Sequence, residues 1–126
     1  MESQAKIHIQ GLIKDHKIDL ITSYILQYEN SKNRDSSRRK AIEQFVIKYR
    51  KNNIDVSQDE DVSKIAKQYM DFGIKEKDAY HIACAIIGRC DYFITTDDRI
   101  LKHKSDEINI VNPIEYIRLE DSKYGK

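Results

Sequence analysis

Long apolar runs are missing from this chain: none approaches the roughly 18 residues that a membrane-spanning helix requires. The first residues, Met1-Glu2-Ser3-Gln4, are polar, so no signal peptide is expected and the expected compartment is the cytoplasm. Cysteine is scarce. Cys84 and Cys90 have a spacing that matches no common zinc pattern, and one disulfide is foreign to an intracellular chain, so both are expected as buried or half-buried thiols. An excess of one charge is missing too. With 22 Lys and Arg against 21 Asp and Glu, the net charge is +1, which excludes a polycation. Nucleic acid could then be bound only through a local basic patch. There are no repeats, linkers or low-complexity segments. The 126 residues suit one domain, expected over residues 1–120, with a frayed tail at 121–126. Hydrophobic residues at 40% and charged residues at 34% suit a core under a highly charged surface.

What is present is organised around Lys77–Leu101, KDAYHIACAIIGRCDYFITTDDRIL. Ala79, Ile82, Ala83 and Ile86 fall at i, i+3, i+4 and i+7, with Tyr80, Cys84 and Ile87 on the flank. This spacing predicts a helix that is apolar nearly all round and therefore buried. Gly88 is a natural helix stop. Tyr92-Phe93-Ile94-Thr95 is β-prone without polar alternation, as in a parallel strand covered on both faces. The run breaks at Asp97-Asp98. Sites in open α/β sheets form outside the carboxyl ends of the strands, so Asp97 or Asp98 falls where a site would be. Asp78 opens the preceding helix and could face the same crevice.

Upstream, a helix is expected over Ala5–Lys17, a strand over Ile18–Thr22, and a helix over Tyr24–Ser31 capped by Ser23. A further helix, Arg38–Arg50, has Ala41, Ile42, Phe45, Val46 and Tyr49 inward and is broken at Asn52-Asn53. Ile54–Ser57 is at most a short extended piece. Ser57 caps a helix through Met70, with Val62, Ile65, Ala66 and Tyr69 on one face. Downstream come a short helix at Arg99–Lys104, a strand at Ile108–Val111, and a last helix from Pro113 through Arg118. Helices alternating with short apolar strands predict an α/β fold with a parallel sheet.

Several side chains could carry chemistry. Glu29 lies at i+4 from Ile25 and i+3 from Leu26, on the inward stripe of its helix. A carboxylate there needs either a paired Lys or Arg at the stripe's edge or a metal ion. Asp78 and Asp97 each have a simpler role open to them as helix caps. His81, at i+3 from Asp78, reads as packing rather than as a ligand. Carboxylates are hard ligands and select Mg2+ or Mn2+ over zinc. The basic run Lys32, Arg34, Arg38, Arg39, Lys40 is either a solvated face or a phosphate-contacting rim. Tyr24 and Tyr28 are either core residues or base-stacking ones.

DAYHIACAIIGRCDYFITTDDRIL, followed by INIVNPIEYI, resembles the C-terminal half of a PIN domain: an Asp opening an Ala-rich helix, a strand ending Thr-Thr-Asp, and a strand running into Asn-Pro. IDLITSYILQYENSKN resembles that family's strand, Ser and acid-bearing helix. Order and spacing carry the likeness, from Ile7 to Ile117. The resemblance implies a three-layer α/β/α fold with a short parallel sheet. It also implies a Mg2+- or Mn2+-dependent endoribonuclease that cuts single-stranded RNA, many members being toxins held by an antitoxin protein. It puts Glu29, Asp78 and Asp97 at the metal, with Thr95 and Thr96 orienting Asp97 or a water. Asp98 faces away, because neighbouring residues do not easily share a crevice.

The family pattern opens with a central strand that ends in a first metal-binding Asp. Met1-Glu2-Ser3-Gln4 leads directly into the helix and offers no counterpart, so a PIN-like fold truncated at the N-terminus is expected. Without that strand, the strands at Ile18–Thr22 and Asp91–Thr95 would leave buried backbone groups unpaired at roughly 1–3 kcal/mol each. Over several residues this exceeds a domain's typical stability of about 5–15 kcal/mol. Either the two strands pair directly or a second chain covers them, and the second, a homo-oligomer, is favoured. Two other functions stay open: a catalytically impaired PIN-like module that binds RNA or a protein partner, and an α/β interaction protein with no nucleic-acid role.

Overall fold

The computed structural model describes residues 2–123, with side chains from 3 to 122. In chain order the elements are α1 (Glu2–Lys14), β1 (Leu20–Ser23), α2 (Tyr24–Ser31), α3 (Ser36–Tyr49), β2 (Arg50–Ile54), a 3-10 turn (Val56–Gln58), α4 (Asp59–Asp71), α5 (Glu76–Ile87), β3 (Tyr92–Ile94), α6 (Asp98–Leu101), β4 (Asn109–Val111) and α7 (Pro113–Lys123). The fold is α/β with short parallel strands. β1 pairs with β2 and β3 pairs with β4, each pair parallel and each a separate two-stranded sheet. The ladder partner of β1 is thus β2 and that of β3 is β4. The chain divides into two compact units, Asp19–Cys90 and a unit made from Met1–Ile18 with Asp91–Lys126.

In the unit Asp19–Cys90, α4 lies on α5. Val62, Ala66, Ala79, Ile82 and Ala83 are all 0% exposed there. The alanines keep the two helices close, and Ile82 and Val62 supply the apolar area, with about 1.5–3 kcal/mol expected for each fully buried side chain. The apolar helix expected after Asp78 is therefore the core helix. It stops at Gly88 as the sequence predicts, but not because Gly88 is left-handed. Gly88 has φ −73°, and the left-handed residue is Arg89, φ 59°. Cys90 N–H reaches the Ala85 carbonyl and Arg89 N–H the Ile86 carbonyl, the bond pair of a Schellman end. Glycine stands at 88 for space: a Cβ there would lie 2.8 Å from Ile21 Cγ2. The same bond pattern ends α4 with Gly73 (φ 95°) and α1 with His16 (φ 60°) in the left-handed position.

Three local expectations differ from the structure. α3 ends before Asn52-Asn53 as expected, but Arg50–Ile54 is a strand, where an extended piece is expected only from Ile54. Asn53 stands opposite Thr22, whose hydroxyl donates to Asn53 Oδ1 at 2.8 Å, and a register shift between Leu20 and Ile21 absorbs the extra residue. None of α3 is buried; Ala41 is exposed, and Ile42, Phe45, Val46 and Tyr49 are only half-buried. The cap before α4 is not Ser57. Asp55 accepts from Ser57 N–H at 2.8 Å to hold the 3-10 turn, and Asp59, Glu60 and Asp61 meet the positive end of α4.

In the other unit, α1 packs on α7, and Ala5, Ile13, Ile100, Ile108, Val111 and Tyr116 are buried. The Tyr92 and Tyr116 rings meet edge to face, 5.0 Å between centroids. α7 extends to Lys123, past the expected end at Arg118, so Asp121–Lys123 of the expected tail is helical; Tyr124–Lys126 lie outside the described residues. Among the described residues no helix is long and apolar enough to cross a membrane.

Candidate active site

β1 delivers the chain to α2 through Ser23. Its extended backbone (φ −150°) and side-chain oxygen, 3.2 Å from Leu26 N–H, start the helix as the sequence predicts. α2 then carries Glu29 to α5. Glu29 Oε2 lies 2.9 Å from His81 Nε2 and 3.3 Å from Lys77 Nζ, with the Glu29 side chain 29% exposed and that of His81 19%. Burial alone would push the Glu29 carboxyl up. The hydrogen bonds and charges of His81 and then Lys77 outweigh it and hold the group below its ordinary value. Glu29 is thus an ionised acid with two donors on one oxygen, the paired state that its inward position left open. Lys77 and His81 are the residues that sequence reasoning did not connect with it. Their i, i+4 spacing on one flank of α5 was the available signal.

Asp78 is half-buried in the first turn of α5. It is not the cap: the N-cap is Lys75, with no side-chain cap bond. On the helical wheel, Asp78 falls about 60° from His81, on the neighbouring flank.

Around the start of α2, Tyr24 donates its hydroxyl hydrogen bond to Asp59, and burial followed by Asp59 raises its pKa. Cys84 is buried and its thiol is pushed up to about 11 by burial, against a hydrogen bond from Ser23. Ser63 and Tyr80 hydroxyls lie 2.9 Å apart. Tyr24 is therefore tied into the protein, whereas Tyr28 is 62% exposed. Cys84 is buried and Cys90 half-buried, as expected.

In the other unit, Asp97 is the cap of α6. Its Oδ1 accepts from Arg99 N–H at 2.9 Å, and Arg99 Nε lies 3.6 Å from the same oxygen. Thr95 Oγ1 accepts from Asp97 N–H at 3.1 Å and so fixes the backbone that presents the acid. Thr96 and Asp98 are exposed.

The basic run forms the α2–α3 connection and the first turns of α3. Lys32, Arg34, Arg38 and Lys40 are exposed and Arg39 is half-buried. Asp35 caps α3 by accepting from Arg38 N–H at 3.1 Å. Buried Asn30 donates to the Arg39 carbonyl at 3.0 Å, and Arg39 Nη1 donates to the Asn33 carbonyl at 2.8 Å.

As donors, Glu29, Asp78 and Asp97 suit a hard divalent ion, since all three offer carboxylate oxygens. Among the described residues no three His, Cys, Asp or Glu side chains are already gathered into a group that could hold a metal. Lys77 supplies a counter-charge at Glu29 and His81 a hydrogen-bond donor, both on Oε2.

A family model described as PIN domain matches residues 3–106. No curated protein and no solved structure matches the chain.

Proposed function

The chain belongs to the PIN-domain family, whose function is of nuclease type, and from that premise we propose that it is a Mg2+- or Mn2+-dependent endoribonuclease of single-stranded RNA, of the kind paired with an antitoxin in the cytoplasm. Glu29, Asp78 and Asp97 would hold the ion, which when bound supplies an activated water and neutralises the phosphate. Lys77 and His81 hold the Glu29 carboxyl below its ordinary value and so keep it in the form a cation would need. Thr95 holds the Asp97 backbone. Lys32, Arg34, Arg38 and Arg39 contact the phosphates of the strand.

The observation that carries the reading is Glu29: a half-buried acid on the inward side of α2, held ionised by two donors of α5 and followed within three residues by the basic run. Self-association is part of the proposal. Leu20, Ile21, Tyr92, Phe93 and Ile94 are strand residues of a type that parallel sheets bury, yet all are only half-buried.

The paired state of Glu29 also favours a second reading, a PIN-like module that binds RNA or a protein partner without cutting. A thermal-unfolding titration with Mn2+ separates the two. The nuclease reading expects the midpoint to rise with Mn2+, and Glu29→Gln and Asp97→Asn to blunt the rise. Asn caps a helix as well as Asp does, so Asp97→Asn keeps the fold. No midpoint shift, with RNA binding indifferent to EDTA, would establish the second reading. Light scattering at micromolar concentration tests the association, and a monomer would contradict it.

A further inference from the structure

We propose that Tyr28 is a stacking platform for a base of a single-stranded nucleic acid, flanked by the cations of the α2–α3 connection. The proposal rests on the reading of the chain as an RNA-acting protein and names the residue that grips the strand beside Glu29. Tyr28 precedes Glu29 on α2 and is 62% exposed, although an aromatic ring is a large apolar surface to leave in water. Lys32, one helical turn on, places its ammonium 5.0 Å from the ring centroid. The segment Ser31–Lys40 carries five bases and one acid, a local excess of four in a chain whose whole excess is one.

This basic segment is also a built frame. Asn30 is 8% exposed and clamps α2 to the Arg39 carbonyl, Arg39 returns a bond to Asn33, and Asp35 N–H bonds Asn33 Oδ1 at 3.1 Å. Ser31 Oγ donates to the Tyr28 carbonyl. An exposed ring on a fixed helix, with the Lys32 ammonium over one face and further cations in the segment that follows, is an arrangement that suits a single strand: a base takes the other ring face and the phosphates take the cations. An acidic protein segment would use the cations but has no need of the ring, which is why a nucleic acid is the occupant favoured.

The chain contains no tryptophan, so Tyr28→Trp puts a single indole reporter at the platform of the otherwise intact protein. The probe is an oligouridylate of about ten nucleotides, within the length one binding domain covers, with an abasic oligomer of equal length beside it. Oligouridylate should quench the indole emission of the Tyr28→Trp variant saturably, and the abasic oligomer should not. Tyr28→Ala should weaken oligouridylate binding about tenfold with an unchanged salt slope, whereas Lys32→Gln should lower the slope of log K against log salt by about 0.7. Tyr28→Phe should bind as the wild type does. Unquenched emission at saturating oligouridylate, or abasic and uridylate oligomers bound equally, overturns the platform and leaves the RNA reading standing. Absence of any salt-dependent RNA binding by the wild type overturns both.

Discussion

Replacing Gly88 by alanine probes the contact between α5 and the β1–β2 sheet, on which the placement of Ser23 and α2 depends. The new methyl would stand 2.8 Å from Ile21 Cγ2, 3.2 Å from the Cys84 carbonyl oxygen and 3.5 Å from Ile54 Cδ1. Carbon atoms rest comfortably at about 3.5–4.0 Å, so the Ile21 contact is short by roughly 0.7–1.2 Å. Cγ2 branches directly from Cβ of a strand residue, and relief requires a new rotamer or a shift of β1. Backbone strain plays no part, because φ at Gly88 is −73°. Overpacking of this kind costs about 1–3 kcal/mol, and the less flexible unfolded chain returns about 0.4–1 kcal/mol. The net loss should be on the order of 1–2 kcal/mol, read as a lower urea midpoint. Ile21→Ala removes the opposing methyl, so Gly88→Ala should cost less in that background, with a coupling of about 0.5–3 kcal/mol. A neutral or stabilising Gly88→Ala, or an equal cost in both backgrounds, would refute the close-approach explanation for this glycine.

Ile82→Ala, at a fully buried position, should cost about 2–5 kcal/mol in urea unfolding. His81→Ala should cost about 1–2 kcal/mol, because its bond to a charged, partly buried carboxylate is lost; Lys77→Ala should cost under about 1 kcal/mol, since the Lys77 ammonium is mostly in water. The Glu29 carboxyl is held below its ordinary value of 4.5, so the stability from its ionisation is present above that pH and disappears as pH falls through the folded value. Acid unfolding of His81→Ala should show a smaller loss over that window. Cys84, raised from 9.0 to about 11, has the opposite sign: the unfolded thiol ionises first, so stability falls as pH climbs through that interval, and Cys84→Ser should remove this part of the slope.

The core and the helix starts were legible because each depends on local periodicity or one capping residue. Ala79, Ile82 and Ala83 recur at helical spacing and are the fully buried face of α5, and Ser23 caps α2 where its hydroxyl and the following run suggest. The misreadings come where a distant partner decides. Asn52-Asn53 breaks a pattern in isolation, but Thr22 and the β1 ladder make it strand. The apolar residues of α3 imply an inward face, yet α3 has nothing over it among the described residues that buries them. At the site, Glu29 announced itself by standing on an apolar stripe. Its partners did not, because Lys77 and His81 lie about fifty residues away and only the packing of α2 against α5 brings them to it. Gly88 was legible as a stop and not as a spacer, since Ile21 is invisible to it in sequence.

The proposed activity is cleavage of single-stranded RNA with a divalent ion held by acids that include Glu29. The most direct measurement is cleavage of an internally labelled single-stranded RNA by the purified chain with Mn2+ or Mg2+, beside EDTA and beside Glu29→Gln. Metal-dependent internal cuts are expected, abolished by EDTA and reduced by Glu29→Gln at least about a hundredfold, roughly 2.7 kcal/mol of transition-state stabilisation. RNA left intact under every metal condition, or cut equally well by Glu29→Gln, would contradict the claim.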